Sequence, residues 1–354
     1  MNTSEIKNER AYSLDALKMV AAVLVVFQHS VGTGNISAQL LAISRIAVPL
    51  FMMITGYLYI DVLDRKKADK QIQKFIMIAL GMAGLYFLLD CALHFILKDI
   101  KEYLGLFLDF KNIRNFILFN DSIAADHAWY MWAMIYTLII AKVFPIIYKN
   151  KLFRNVLIVV GLLCSLVFGK YALAVFGFEF LPTYTRNAWM VGIPYFLIGI
   201  SLREHADFLK SRKKVLIISI VLMSIISCLI ERELLVLCSV NATKDSYIFT
   251  TVLSIAVFIL FLSNDRINTW SRTAYCGKKY SLILYIIHPL FVRIEKRVFP
   301  MNTIWQYCGF LVVLVCAFVT SILIIKGFDL LKQRDMKDIN KVKDGIKSGG
   351  SEDV

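Results

Sequence analysis

Apolar runs separated by short polar connections recur along most of the chain, and their lengths point to helices in a bilayer. The pattern predicts spans at residues 13–30, 46–60, 75–97, 129–148, 152–176, 188–202, 215–230, 248–262, 280–292 and 304–325. Residues 103–119 are apolar but broken by Asp109, Lys111 and Arg114, the pattern of an interfacial helix. The expected fold is all-α, a membrane bundle of about ten helices. Residues 1–331 form the membrane-embedded domain and residues 332–354 a polar, disordered cytoplasmic tail.

Composition agrees with the pattern. Hydrophobic residues make up 58% of the chain and mean hydropathy is +0.65, above the roughly 45–50% apolar content of soluble domains. The net charge of +14 lies in connections and at the polar end, so it reads as topology and not as a nucleic-acid surface. Arg65, Lys66, Lys67, Lys70 and Lys74 mark one cytoplasmic loop. Clusters around Lys149, Arg212 and Arg272 mark others, which leaves both termini inside. Arg293, Lys296 and Arg297 form one outer loop against that rule. Lys7 and Arg10 precede the first helix, which is expected to be retained because no small-residue cleavage site follows it. The seven cysteines have no paired spacing and read as small core residues.

The first apolar run, SLDALKMVAAVLVVFQHS, carries Asp15, Lys18, Gln28 and His29. At about 100° and about 1.5 Å per residue, Lys18 and His29 share a face and stand about 16 Å apart in depth. Intramembrane ionisable groups usually face a bundle interior or a wet cavity. A neutral His29 suits a general base, while the alternative is a histidine hydrogen-bonded at the interface. Lys18 suits a phosphate or carboxylate, while the alternative is snorkelling beside Asp15.

In KKYSLILYIIHPL, Pro289 cannot close the helical bond to Tyr285, which predicts a kink or interruption beside His288. Trp129 and the PTYTRN segment with Arg186 place aromatic and polar groups at the outer side, as either an acceptor entrance or an aromatic belt. Asp90 and His94, one turn apart, read as a local pair. No phosphate loop, nucleophile elbow or zinc spacing is present, and no symmetric pair of broken helices supports a transporter.

Five elements in order resemble the integral-membrane acyltransferase 3 family: the Lys18-to-His29 spacing, VPLFMMITGYL with Thr55 in place of serine, HAWYMWAMI, TRNAWMVGIPYFLIG and KKYSLILYIIHPL. The resemblance implies transfer of an acyl group, often acetyl from cytoplasmic acetyl-CoA, to an acceptor at the outer face. It gives His29 the acid-base or acyl-relay role and Lys18 support of the donor. Trp129, Arg186 and His288 match recurrent elements. No permanently bound cofactor is expected; acetyl-CoA is a substrate. Asp15 and Lys74 are read as donor-side groups, Trp129, Arg186, His288 and Thr55 as acceptor-side or cavity-lining ones, and no metal ligand is expected.

The resulting expectation is an O-acyltransferase of a cell-envelope or surface carbohydrate, multi-pass in a bacterial plasma membrane. Its partners are the bilayer, the acyl-CoA donor and a hydroxyl acceptor, without nucleic acid. A transporter or flippase of a small solute or lipid-linked glycan is the alternative, and a membrane module serving polysaccharide assembly is a third.

Overall fold

The computed structural model describes residues 3–30, 32, 35–242, 245–264, 267–298 and 303–349. The side chains of Lys7 and Arg10, and that of Cys308 among the seven cysteines, lie outside the described ones. Every regular element among the described residues is helical.

The chain opens with α1 (Thr3–Ser30), α2 (Asn35–Ser44), α3 (Ala47–Asp64) and α4 (Ala68–Leu97). Two short helices follow, α5 (Ile100–Leu106) and α6 (Phe110–Phe119), in the stretch expected to be interfacial. Asp109 caps α6 by accepting from the Lys111 amide at 2.9 Å, which explains why the helix restarts there. Next come α7 (Trp129–Val143), α8 (Ile146–Lys149), α9 (Lys151–Ser165), α10 (Ala172–Phe176) and α11 (Pro182–Thr185). The chain closes with α12 (Ile193–Glu204), α13 (Ala206–Lys210), α14 (Lys214–Leu237), α15 (Ile248–Leu262), α16 (Ile267–Val298) and α17 (Thr303–Gly349).

Several ends differ from the sequence pattern. Residues 129–148 are not one helix, because Pro145 lacks an amide hydrogen and separates α7 from α8. Residues 152–176 divide at a π-helical turn, Leu166–Lys170, where Gly169 leaves helical geometry. A second π-helical turn, Ala188–Gly192, precedes α12. The helix through Pro289 is not interrupted: α16 runs continuously past it. Asp90 and His94 do not pair with each other. Asp90 accepts from Arg293 Nη1 at 2.5 Å, while His94 meets Asp99 at 2.8 Å and stacks on Tyr103.

Among the described residues six helical stretches are long and apolar enough to cross a membrane, which makes this a multi-pass membrane protein. Of the residues in the most apolar window of each stretch, 50% and 56% are buried in Tyr12–Ser30 and Ile36–Asp64, but only 11–22% in the other four. The first two are therefore central and the others present apolar faces outward, as lipid requires. Helix α1 packs on α16, where any side chain on Gly277 would overlap the carbonyl oxygen of Asp15. Helices α3 and α12 use the same device twice, with Gly56 against the backbone of Phe196 and Gly199 against that of Met53. Bare backbone at these crossings lets helices approach without a hydrophobic driving force from water. Buried Arg154 then ties α9 to the end of α12 through two hydrogen bonds to Glu204, at 2.6 and 2.7 Å.

Candidate active site

Close packing around α1 leaves two adjoining hollows at the end of that helix where His29 sits. One of about 330 Å³ is lined by His29, Arg45, His127, Trp129, Arg186 and Tyr285, among others. The second, of about 490 Å³, shares His29, His127, Trp129 and Arg186 and adds Arg293 and Lys296. His29 is accessible although its helix is central, because it lines both hollows. Its ring centroid lies 5.2 Å from that of His288, and His288 lies 6.0 Å from His127.

Pro289 accounts for the chemistry of His288. The proline supplies no amide hydrogen to the carbonyl of Tyr285, so that oxygen needs another donor. His288 Nδ1 lies 2.7 Å from it and donates. This keeps a proton on Nδ1, so that in the neutral ring Nε2 is the unprotonated nitrogen. His288 is fully buried, and its Nε2 makes no hydrogen bond among the described residues. Tyr285 donates its hydroxyl to the carbonyl of His127. His127, in the turn preceding α7, is pushed to a pKa of about 3, by burial first and then by the neighbouring His29 and Arg293. It therefore stays neutral.

The TRN segment is held residue by residue. Thr185 donates to Asp245 Oδ2 at 3.0 Å and Arg186 Nε to Asp245 Oδ1 at 3.1 Å. Asn187, fully buried, caps the following turn by accepting from the amides of Trp189 and Met190. Asn120, also fully buried, accepts from the Ala188 amide at 2.8 Å and donates to the Trp129 carbonyl at 3.2 Å. These bonds register Arg186 and Trp129 against one another across the hollow.

A third hollow, of about 280 Å³, lies toward Lys18. Lys18, Lys74, Lys278, Gln71 and Thr55 line it, as do Tyr130 and Tyr285. Lys18 Nζ donates to Asp15 Oδ1 at 2.7 Å. Tyr130 and Tyr285 also line the His29 hollow and meet edge to face with centroids 5.5 Å apart. Two tyrosine rings thus form the wall between the Lys18 and His29 chambers.

A family profile described as an acyltransferase domain matches residues 11–325. The chain belongs to the acyltransferase 3 family. Its sequence is 24% identical to an amino-acid racemase of Enterococcus faecalis over 341 residues, covering 89% of this chain and 46% of that protein. It is 26% identical to a serine/alanine racemase of Enterococcus gallinarum over 310 residues, covering 78% and 40%. The chain therefore spans less than half the length of these relatives. No solved structure matches it.

The acyltransferase 3 elements named from sequence fall on these chambers unequally. His29, Trp129 and Arg186 come together in the His29 chamber, with His288 buried behind His29. Lys18, Lys74 and Thr55 share the other chamber, so Thr55 stands on the lysine side; its hydroxyl donates to the Phe51 carbonyl at 3.0 Å. Asp15 acts on that chamber through its bond to Lys18. Sequence reasoning missed Arg45, Asp245, Lys278 and the walling role of Tyr285. A signal existed for Arg45, a lone cation directly ahead of the apolar run IAVPLFMMI, whose helical stretch in fact reaches back to Ile36.

Proposed function

We propose that the protein is a membrane O-acyltransferase that moves an acetyl group from cytoplasmic acetyl-CoA to a hydroxyl of a cell-envelope or surface carbohydrate. The observation that carries this reading is the shared wall of Tyr130 and Tyr285 between a lysine-lined chamber and the His29 chamber. Two substrates entering from opposite sides meet there without crossing the whole membrane. The reading adds α7, α12, α15 and α16 to the six long apolar stretches, which makes ten spans in a bacterial plasma membrane with both termini cytoplasmic.

Coenzyme A is anionic and resides inside, so Lys18, Lys74 and Lys278 suit the donor mouth electrostatically. Asp15 holds the Lys18 ammonium in place. The acetyl thioester extends between the tyrosines to His29. There His29 takes the proton of the acceptor hydroxyl as its oxygen bonds to the acetyl carbonyl carbon. The carbon–sulfur bond breaks, and coenzyme A leaves with the proton as a thiol. In the covalent variant the His29 nitrogen first bonds to the acetyl carbon while coenzyme A leaves as the thiol with the imidazole proton; the acceptor oxygen then takes the acetyl group and its proton returns to the imidazole. Trp129 offers a face for a sugar ring, Arg186 a hydrogen-bonding edge, and His288 packs behind His29 to orient it.

The test incubates the purified protein in lipid with labelled acetyl-CoA and envelope glycans, then repeats it with His29→Gln. Transfer should fall about 100- to 10,000-fold with the fold intact; unchanged transfer would remove His29 from the mechanism.

The racemase names of the relatives favour one second reading, in which the chambers conduct a small solute such as an amino acid. Solute flux that is independent of acyl donor, with no thioester turnover under any acceptor, would select it.

A further inference from the structure

Arg45 occupies the turn between α2 and α3, inside the apolar stretch Ile36–Asp64. It lines the His29 chamber and also a hollow of about 80 Å³ behind it. It makes no hydrogen bond or ion pair to any other described residue.

The carboxylates that line the His29 side are already engaged. Asp245 accepts from Arg186 and Thr185, and Asp121 accepts from Thr183 at 2.6 Å. Behind Arg45 lies Lys170, 2% exposed, whose Nζ donates to the Ala242 carbonyl at 2.6 Å and sits 4.4 Å from the centroid of the Tyr247 ring. Among the described residues no carboxylate lines that rear hollow. At the opposite edge of the acceptor side, Lys296 faces the larger hollow, also without an ion pair among the described residues. Among the described residues Arg45 and Arg186 thus share Asp245 as the one carboxylate lining the smaller His29 hollow, and of the two it bonds only to Arg186. A cation whose counter-charge is taken up by another group is costly among membrane helices, so a ligand anion that supplies one binds with a large part of its desolvation already met. The planar guanidinium presents a fork that matches phosphate or carboxylate in two hydrogen bonds.

We propose that the acceptor carries an anionic group, a phosphate or a carboxylate, and that Arg45 receives it while the acceptor hydroxyl faces His29. This assignment rests on the acyltransferase reading for its acceptor and on the lining of the chamber for the anion. A neutral glycan leaves Arg45 uncompensated and binds more weakly. Arg45 is then a specificity residue that acts on binding of one substrate, not on the donor.

Calorimetry on the full chain in nanodiscs tests this with methyl glucuronide, methyl glucoside and inorganic phosphate as probes. The glucuronide should bind about 10- to 100-fold more tightly than the glucoside. That preference should vanish in Arg45→Gln and return in part in Arg45→Lys. Equal affinities in the wild-type protein, which requires no variant to fold, overturn the proposal, as does a preference that survives Arg45→Gln. Phosphate binding as tightly as the glucuronide makes the site one for a free anion and overturns its assignment to the acceptor. Acetyl-CoA turnover is followed in the same discs. Its absence beside an intact glucuronide preference defeats acyl transfer while the anion selectivity stands.

Discussion

His288 and Pro289 form a unit in which one residue repairs what the other removes. The carbonyl of Tyr285 has lost its helical donor to Pro289 and regained one from His288 Nδ1. Replacing His288 by leucine leaves that oxygen unsatisfied, a cost of about 1–3 kcal/mol. Pro289→Ala restores the amide hydrogen, so the leucine substitution should cost markedly less in that background. Thermal unfolding of the four proteins of this cycle measures the coupling; additive effects would mean that the carbonyl is satisfied some other way. Donor and acceptor effects also separate at single residues. Lys18→Ala should raise the KM for acetyl-CoA about tenfold and leave that of the acceptor nearly unchanged, read from initial rates with each substrate varied. A defect confined to the acceptor would reverse the assigned polarity of the chambers. Lys18 and His29 were legible in the sequence because an ionisable group inside an apolar run stands out and helical period places both on one face. Arg45 was less legible because the apolar pattern starts cleanly at Ile46, which makes the arginine look like a flanking charge. Tyr285 was illegible, since an aromatic in an apolar helix carries no sign of which partner it will meet.

Glycine placement decides how α1 and α16 carry these residues to one another. Gly277 lies against the backbone of Asp15, where no side-chain movement relieves an added carbon. Gly277→Ala should therefore separate the helices, lower stability by about 1–3 kcal/mol and reduce activity, since Asp15 holds Lys18. Gly81 in α4 has open space where its side chain would be. Gly81→Ala should raise helix stability by about 0.5–1 kcal/mol and leave activity alone. Thermal unfolding of both variants checks the contrast, and equal responses would count against a close α1–α16 crossing. Helix existence was readable from apolar length. The breaks were less so: Pro145 divides a run by removing an amide hydrogen, whereas the π-helical turns at Leu166–Lys170 and Ala188–Gly192 lie against distant groups, Asp245 over Gly169 and Asn120 accepting from the Ala188 amide, that only folding brings there. Pro289 looked like a break and is not one, because the freed carbonyl has a donor within its own helix.

Over the whole molecule, three hollows line up through the bundle from Lys18 to Lys296, with two tyrosines between the first and the next. The membrane class followed from composition, and the family from five elements whose order survives across the chain. The division into chambers did not, because it arises where α1, α3, α7 and α16 pack and no single segment encodes it. The central claim is that an acyl group passes this wall from a donor on one side to an acceptor on the other. The direct measurement uses proteoliposomes with the protein in one orientation, labelled acetyl-CoA confined to the Lys18 side and the acceptor glycan confined to the His29 side. Wild-type protein should label the glycan without either substrate crossing, and His29→Gln should abolish that labelling. Labelling only when both substrates share one compartment would contradict the account.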